Sequence, residues 1–548
     1  MRSYSTLFLL LISTFLLGQN YSNNFFPVWQ DTPWGTGGLT PAGATWSLDG
    51  MYDFDSDGRG EFFLSSSWSG AFGNDAMLYE SVGNDSFQIV WYRGFAGLDT
   101  STANYSSITT GDLDNDAIPE LIVLNDCYAG QDALYIFEFD TTTGFFPVLP
   151  TASWDINLPG GVEESGDISV ANLDGDPNPE LIMALYSRDP AASHVVIAEL
   201  ARGSDLSNPI WNVEMDDDST LTFFSYMAQP TDLDQDGFKE IVVGEWNFNR
   251  LVIFENTGVN TYQKSSDFFM TLEPSALSNE GATEIDLDGD GLNELFLAST
   301  AGYFWVLTNS GSVDHLSFAG NVHLLSDYKT NGGWRITQVK SGNGDSPVGQ
   351  PADRPDIYLA AADSTGVTSA LFDWEYLGGD VTDPNNYNIS SIYSDNLSNG
   401  ELFKPSKFAI GDADGDGARE IVIGSFSFDQ NKPHIIALES DAATALQASE
   451  NHDFPVSSFV LRQNYPNPFN PATKIEFELF RGTTLSLTIF NGLGQQVKTL
   501  FTGALPAGPH ALEWDGTADN GAPVTSGIYY YQLHSAAFLD TRKMLLLR

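Results

Sequence analysis

The sequence predicts an all-β protein in which a series of repeated four-stranded sheets is followed by a smaller β-sandwich. Three observations lead to this fold class. Six acidic loops of one pattern recur along the chain, five of them about 60 residues apart, and a fixed period indicates a repeat architecture. Each loop runs into a short apolar segment bounded by turn residues, which is typical of a buried strand. The composition changes from residue 459 onward, where short alternating segments begin.

The six loops share an acidic or amide residue at position 1, acidic residues at positions 3, 5 and 9, and an apolar or alanine residue at position 2. They are Asp53, Asp55, Asp57 and Glu61 (loop 1); Asp112, Asp114, Asp116 and Glu120 (loop 2); Asn172, Asp174, Asp176 and Glu180 (loop 3); Asp232, Asp234, Asp236 and Glu240 (loop 4); Asp286, Asp288, Asp290 and Glu294 (loop 5); and Asp412, Asp414, Asp416 and Glu420 (loop 6). Side chains at positions 1, 3 and 5 converge on one ion when the backbone curls, and position 9 closes the shell. Such all-oxygen sets suit Ca²⁺, whereas Mg²⁺ prefers octahedral sites that keep several waters. We therefore expect up to six Ca²⁺ sites.

The loops differ from EF-hands and from one another. An EF-hand needs a bidentate glutamate at position 12, and that position is apolar in all six loops. Loop 3 has Asn172 in place of the first aspartate and Pro177 where glycine is favoured, so it should be the weakest site. Loop 2 has Ala117 at the same position, which is strained if its φ is positive.

Counting the repeats predicts a seventh one. Asp286 and Asp412 are 126 residues apart, about twice the usual step. The segment around Asp356 fits a hidden repeat near residue 348, in which Asp356 takes the place of the closing acid and the other loop acids are lost. Seven repeats lie within the range of β-propellers, so residues 19–445 are predicted to form a seven-bladed β-propeller.

Each repeat is predicted to have four strands, the fourth of which carries a tryptophan. Trp91, Trp154 and Trp211 precede the next loop by similar distances, and Trp29 precedes loop 1 in the same way. The last repeat ends after its third strand. The segment at Trp29 should therefore complete it and close the ring, leaving no open sheet edge.

The loops resemble the FG-GAP/VCBS repeats of integrin-α-like β-propellers, whose pattern is Asp-apolar-Asp-x-Asp-Gly-x-x-Asp before an apolar strand. The resemblance covers roughly residues 25 to 445, and it departs from the family in having glutamate rather than aspartate at position 9. It implies a calcium-binding propeller with the loop residues named above as metal ligands.

Residues 446–458 are predicted to be a linker, and residues 459–548 a separate module. Seven short strands in about 85 residues indicate an immunoglobulin-like sandwich. The Asn-Tyr-Pro-Asn-Pro-Phe-Asn-Pro run at 464–471 and the basic tail resemble the type A C-terminal sorting domain of the type IX secretion system, which also resembles the flagellar-hook-capping immunoglobulin-like domain. The resemblance implies that residues 461–548 engage the type IX machinery, and that the protein crosses the outer membrane of a Gram-negative bacterium.

Charge and targeting signals restrict location and partners. The formal net charge is −50, which argues against phosphate-mediated nucleic-acid binding and against anionic membrane surfaces. Residues 1–18, with Arg2 and the apolar run Leu7 to Leu17, are predicted to be a signal peptide, and no later run is long enough to span a bilayer. Cys127 is the only cysteine, so no internal disulfide is expected. We expect a secreted or outer-surface protein.

No catalytic motif is present, so we expect a non-catalytic binding or adhesion protein. The loops joining strands two and three carry Trp68, Tyr128, Tyr186, Trp246 and Tyr303. These aromatic residues either form a ligand face for an extracellular glycan or protein, or cover the rim of the core. Two alternatives stay open: an extracellular polysaccharide lyase or hydrolase built on the propeller, and a purely structural surface protein.

Overall fold

A computed structural model describes most of the chain. The described residues are 19–21, 25–30, 44–67, 75–95, 106–127, 130–147, 149–158, 161–188, 191–221, 225–246, 250–270, 279–328, 334–342, 344, 356–363, 368–396, 405–425, 435–440, 459–461, 464, 466–479, 483–491, 496–505, 508–519, 521–535 and 538–547. The predicted signal peptide (1–18), the linker (446–458), Trp68 and Tyr128 lie outside these residues. The chain divides into two compact units, the first lying within residues 1–448 and the second consisting mainly of residues 449–548.

The first unit contains seven antiparallel sheets, numbered here in the chain order of β3, β7, β11, β15, β19, β23 and β27, whose ranges follow. Sheet one has β3 (Ala44–Tyr52), β4 (Glu61–Ser67), β5 (Asp75–Gly83) and β6 (Ser86–Gly94); sheet two has β7 (Ser106–Gly111), β8 (Glu120–Asn125), β9 (Leu134–Glu138) and β10 (Ala152–Trp154); sheet three has β11 (Val162–Ala171), β12 (Glu180–Arg188), β13 (Ala191–Leu200) and β14 (Trp211–Asp217); sheet four has β15 (Ser225–Thr231), β16 (Glu240–Glu245), β17 (Arg250–Gly258) and β18 (Thr261–Phe269).

Sheet five has β19 (Asn279–Ile285), β20 (Glu294–Ser299), β21 (Tyr303–Leu307) and β22 (Val322–Asp327), with a short helix α1 (Phe318–Asn321) before β22; sheet six has β23 (Trp334–Gly342), β24 (Asp356–Asp363), β25 (Thr368–Tyr376), β26 (Tyr387–Asn396) and β1 (Gln19–Tyr21), with a 3₁₀ turn (Pro384–Asn386) before β26; sheet seven has β27 (Pro405–Gly411), β28 (Glu420–Ser425), β29 (Ile435–Ser440) and β2 (Phe25–Gln30). No helix in the described part of the chain is long and apolar enough to cross a membrane.

The first strands of the seven sheets contact one another in succession. β3 contacts β7, β7 contacts β11, and the series continues through β15, β19, β23 and β27, which in turn contacts β3. These strands approach closely at glycines. A Cβ on Gly111 would lie 2.6 Å from the Val170 side chain of the next sheet, so a larger residue would separate the two strands.

Sheet seven is completed by a strand from the start of the chain, as the tryptophan spacing predicts. β2 pairs with β29 in antiparallel register, with Trp29 opposite Ala437. The Trp29 ring packs edge-on against Phe87 and Tyr79 of sheet one, at centroid distances of 5.2 and 6.0 Å. The prediction that this segment forms the fourth strand of the last repeat is confirmed.

Sheet six lies where the sequence predicts the hidden repeat. Its second strand begins at Asp356, which is buried and accepts a hydrogen bond from the Tyr358 hydroxyl at 3.1 Å. The residues predicted to form its lost acidic loop, 345–350, lie outside the described part of the chain. β1 adds a fifth strand to this sheet by pairing with β26, which the sequence pattern does not predict because the strand has only three residues.

The core of the first unit lies between successive sheets. Strands β8, β16, β20 and β28 are buried along their whole length, which explains their continuous apolar runs. One cluster joins Ile122 and Leu124 of sheet two to Leu181 and Met183 of sheet three. Burial on both faces therefore requires a neighbouring sheet on each side.

The second unit has the seven strands that the sequence predicts. One sheet contains β30 (Phe459–Leu461), β31 (Thr473–Leu479) and β34 (Gly508–Trp514); the other contains β32 (Thr483–Asn491), β33 (Gln496–Leu505), β35 (Gly527–Ser535) and β36 (Phe538–Leu546). Their shared core includes Phe477, Trp514 and Tyr531, each almost completely buried. Two sheets that enclose one core form a sandwich.

Candidate metal centres

Each acidic loop connects the first and second strands of its sheet. Loops 1 to 5 lie in sheets one to five, and loop 6 lies in sheet seven. The closing glutamate is the first residue of the second strand in every case: Glu61, Glu120, Glu180, Glu240, Glu294 and Glu420. The strand therefore fixes the position of this side chain, while the preceding residues are free to curl.

Backbone amides hold the aspartates of the loops in a curled arrangement. In loop 5 the Asp286 carboxylate accepts hydrogen bonds from the amides of Gly289 (2.8 Å), Asp290 (3.1 Å) and Gly291 (3.2 Å). Loop 1 has two of these bonds, to Asp53 from the amides of Asp57 and Gly58, and loop 6 has two, to Asp412 from the amides of Gly415 and Gly417. Loop 2 has two of these bonds, to Asp112 from the amides of Asp116 and Ala117.

The curl requires left-handed backbone at two positions. Position 4 has φ between 55° and 78° in all six loops, at Ser56, Asn115, Gly175, Gln235, Gly289 and Gly415. Position 6 is left-handed at Gly58, Ala117, Gly237, Gly291 and Gly417. The φ of 68° at Ala117 confirms the predicted strain in loop 2, since a Cβ disfavours this region.

Loop 3 has a different turn, for the predicted reason. Pro177 has no amide hydrogen and a fixed negative φ, so the bond from position 6 to position 1 cannot form. The Asn172 side-chain amide instead donates to the Asp176 carbonyl oxygen. Asp174, Asp176 and Glu180 still gather into one group.

The closing glutamate is the most buried member of each loop. Its side chain is between 0 and 4% exposed in all six loops, and one oxygen accepts the backbone amide of position 2 at 2.6 to 2.9 Å. The second oxygen of Glu120, Glu180, Glu240 and Glu420 has no hydrogen-bond donor. A buried polar atom without a partner is costly, so these four oxygens are suited to bind a cation or to carry a proton.

Burial raises the pKa of these carboxyl groups, and the neighbouring aspartates raise it further. The pKa rises to about 9 for Glu120 and Glu420, to about 8 for Glu61, Glu180 and Glu240, and to about 7 for Glu294. A cation among the carboxylates would oppose both effects, because it favours the charged form.

The donor set fits a hard divalent cation. One oxygen from each acid of loops 1, 2 and 4 lies within 4.8 Å of the others, and the same holds for the three acids of loop 3. Carboxylate oxygens at this spacing are the ligands of Ca²⁺ in proteins. Asp53, Asp55 and Asp57 are exposed while Glu61 is buried. An ion would therefore enter from the solvent side, and Glu61 would be its ligand on the buried side.

The loops also connect neighbouring sheets. The amide of Asp85, in the β5–β6 turn of sheet one, donates to Asp414 at 2.8 Å, and the amide of Asn260, in the β17–β18 turn of sheet four, donates to Asp174 at 2.8 Å. In addition, the Gly60 amide of loop 1 donates to the Ala413 carbonyl of loop 6 at 2.6 Å. A loop that binds an ion therefore also supports the contact between its sheet and the next.

A second set of glutamates was missed by the sequence analysis. Directly across from the closing glutamate, on the third strand, lies another glutamate in four sheets: the pairs are Glu61–Glu80, Glu120–Glu138, Glu180–Glu199 and Glu420–Glu439. Like charges directly opposite in a sheet are destabilising. The signal was available in the sequence, because the second glutamate follows the first by 18 or 19 residues each time.

The aromatic residues of the predicted ligand face are half-buried where the structure describes them. Tyr186 lies within β12, Trp246 follows β16, and Tyr303 begins β21. Trp246 packs edge-on against Tyr226 at 6.2 Å, and Tyr303 stacks on Trp305 at 5.3 Å. Each ring thus has one side against the protein and retains some exposed surface.

Comparison with known protein families identifies a matching domain family for the second unit. The family model of the FlgD Ig-like domain matches residues 470–537. The chain is therefore a β-rich protein with an immunoglobulin-like domain near its C-terminal end. No curated protein matches the chain.

Among solved structures, the chain is similar to PorZ of Porphyromonas gingivalis, which is described as an essential bacterial surface component of the type IX secretion system. The identity is 13% and the TM-score 0.37, over 90% of this chain and 59% of the PorZ chain. It is also similar to BBS1N in two complexes with ARL6DN, soaked with lead or mercury. Here the identity is 11 and 12% and the TM-score 0.40 and 0.41, over 77% of this chain and 98% of that chain.

Proposed function

We propose that residues 19–445 form a seven-bladed calcium-binding β-propeller of the FG-GAP/VCBS type, and that the protein is a non-catalytic binding or adhesion protein at the cell surface. The observation that carries the proposal is the repeated loop. Six curled acidic loops each end in a buried glutamate, and four of these glutamates have a carboxylate oxygen without a hydrogen-bond donor. A bound Ca²⁺ would satisfy that oxygen.

Two features support the propeller. The seven sheets of the first unit each have at least four strands, and their first strands contact in succession from β3 through β27 and back to β3. The chain start supplies the outer strand of sheet seven. A ring of four-stranded blades closed in this way leaves only short edges.

The charge of the loops supports calcium as a structural ion. All the loop ligands named above except Asn172 are acidic, which makes 23 of the 73 acidic residues of the chain. Without cations these carboxylates repel one another, and repulsion destabilises the compact state. Outside the cell, calcium sites with Kd of about 10⁻⁴–10⁻³ M are filled.

Thermal unfolding of the full chain tests this proposal. We expect a higher Tm in 2 mM Ca²⁺ than in excess EDTA, with no equal effect of Mg²⁺. A site with Kd of about 10⁻⁴ M would contribute about 2 kcal/mol at that concentration, because ligand bound only to the native state stabilises it. The variant with Asp412→Asn and Asp414→Asn should show a smaller shift, whereas Asp218→Asn, an exposed position outside the loops, should behave as the wild type. An identical Tm in EDTA and in Ca²⁺ would refute the calcium sites.

We also propose that residues 1–18 direct the chain to the periplasm and that residues 459–548 direct it through the type IX system. The support is the Asn-Tyr-Pro-Asn-Pro-Phe-Asn-Pro run and the immunoglobulin-like domain that follows it. In a bacterium with this system, the full chain should reach the outer surface or the medium, and a chain lacking residues 459–548 should stay in the periplasm. If an external protease cleaves the full chain and the chain lacking residues 459–548 equally, the assignment is contradicted.

The half-buried aromatic residues are the proposed ligand face. Rings held on a rigid scaffold can stack on sugars or anchor a protein partner. Once a glycan screen provides a ligand, Trp246→Ala and Tyr186→Ala should weaken binding at least tenfold. Binding that is unchanged in both variants would assign these rings to the rim of the core, and release of reducing ends from the glycan would favour the enzyme alternative.

A further inference from the structure

Sheet three contains a second group of acidic residues next to loop 3. Glu180 begins β12, Glu199 lies opposite it on β13, and Glu214 lies on β14. One carboxylate oxygen of each lies within 4.8 Å of the other two. Three adjacent strands therefore bring three glutamates to one point on one face of the sheet.

A β-bulge places the third glutamate in this group. Met215 pairs with Ile197 and Val213 pairs with Ala198, so Glu214 is the extra residue between them. A bulge turns the side chain of its extra residue and interrupts the alternation of faces. Sheet four has a bulge at the corresponding place, between Ser266 and Lys264, and its extra residue is Ser265.

Polar neighbours hold two of the carboxylates in position. The Tyr262 hydroxyl donates to Glu214 at 2.8 Å, and the side-chain amides of Asn212 and Asn260 donate to Glu199 at 3.0 and 3.1 Å. These donors leave the second oxygen of Glu214 without a partner. Side chains outside the three-glutamate group thus fix the positions of Glu199 and Glu214.

Carboxylate oxygens without a hydrogen-bond donor point to a ligand in this group. Glu180 is completely buried, and its second oxygen has no hydrogen-bond donor. None of the three glutamates forms an ion pair with a lysine, arginine or histidine among the described residues. Three carboxylates that face one another without a basic neighbour repel one another unless a cation or a shared proton lies between them.

We propose that sheet three binds a second divalent cation of the calcium class between Glu180, Glu199 and Glu214, and that Glu180 bridges this cation and the ion of loop 3. The site rests on the proposed calcium function because Glu180 belongs to both. Carboxylates commonly provide one oxygen to each of two hard cations, and Ca²⁺ accepts six to eight oxygen ligands. Loop 3, which is predicted to be the weakest single site because it contains Asn172 and Pro177, would then belong to a two-ion centre.

Calcium counting on the full chain tests the second site. After equilibrium dialysis against Ca²⁺, the bound metal per chain is measured for the wild type, Glu214→Ser and Glu214→Gln. We expect both variants to bind one ion fewer than the wild type. Glu214→Ser reproduces the residue that sheet four has at its own bulge, and Glu214→Gln keeps an acceptor for the Tyr262 hydroxyl, so circular dichroism should identify at least one folded variant.

The matched control is Asp218→Asn, which removes one exposed charge just after the same strand and should bind as many ions as the wild type. Glu180→Gln should lose two ions, because it removes the shared ligand. An unchanged count in the folded Glu214 variants would overturn the second site while leaving the loop sites intact. A wild type that binds no calcium would overturn the loop sites and the second site together.

Discussion

Oppositely charged side chains on the first strands of the sheets influence one another electrostatically in the first unit. Asp49 on β3 interacts with Lys340 on β23, and Asp167 on β11 interacts with Lys407 on β27. Desolvation raises the pKa of Asp49 and lowers the pKa of Lys340. Asp167 also accepts the amides of Ile168 and Ala228, each at 3.0 Å. Both electrostatic interactions act between strands that are distant in sequence and belong to non-adjacent sheets.

The Asp167 carboxyl should make stability depend on pH. Burial raises its pKa to about 6, although Lys407 and the two amides oppose the shift. A carboxyl group whose pKa is higher in the folded than in the unfolded state favours folding when protonated, so its contribution is lost as pH rises through about 6. The free energy of unfolding of Asp167→Asn, relative to the wild type, should therefore be higher at pH 7.5 than at pH 4.5.

Denaturant unfolding at the two pH values measures this difference. Asp218→Asn serves as the control, because Asp218 is exposed, and its difference from the wild type should not change with pH. A difference for Asp167→Asn that falls as pH rises would show that the Lys407 pairing outweighs burial.

At the scale of the element, the acidic loops are candidate ion sites, and loops 1, 3 and 6 also contact a neighbouring sheet. Gly60 of loop 1 lies so close to loop 6 that a Cβ there would be 2.6 Å from the Ala413 Cα atom. Its amide donates to the Ala413 carbonyl. The contact joins the loop of the first sheet to the loop of the last sheet, so it supports the closure of the first unit.

Gly60→Ala should destabilise the protein by about 3 kcal/mol, since the added methyl group has to displace backbone in a packed contact. The control is Gly58→Ala in the same loop. Gly58 has a φ of 86° and open space around it, so its substitution should cost only about 1 kcal/mol of backbone strain. Urea unfolding measures the free energy of unfolding of both variants. Equal losses of this free energy would show that loops 1 and 6 have room for the added methyl group.

At the scale of the whole molecule, a strand from the start of the chain completes the last sheet of the first unit. Trp29 is 8% exposed; its strand pairs with sheet seven and its ring packs on sheet one. One side chain thus contributes to two sheets that are separated by most of the sequence. Loss of this side chain affects the closure as well as local packing.

Trp29→Ala should lower the free energy of unfolding by about 4 kcal/mol, as expected for a large buried aromatic side chain. Trp211→Ala is the matched control. Trp211 is only half-buried and stacks on Trp154 at 4.9 Å, so the expected loss is smaller. Chemical denaturation at fixed calcium concentration measures both. A loss for Trp29→Ala no larger than that for Trp211→Ala would mean that β2 contributes little to closure.

The sequence by itself determined the all-β class, the seven strand groups of the first unit, the strand at Trp29 and the seven strands of the second unit. It also determined the six acidic loops and the deviation of loop 3. All of these depend on local chemistry: alternation and apolar runs define strands, a proline lacks an amide hydrogen, and a left-handed turn disfavours a side chain. Such signals lie within a few residues and repeat along the chain.

Only the tertiary structure decided which side chains meet. The pairing of Glu180 with Glu199 follows from strand register, and the arrival of Glu214 follows from a bulge one strand further on. The pair of Asp167 and Lys407 depends on two strands 240 residues apart in sequence. Register, bulges and the approach of distant strands are set by packing energies summed over the whole unit, and no short window of sequence contains them.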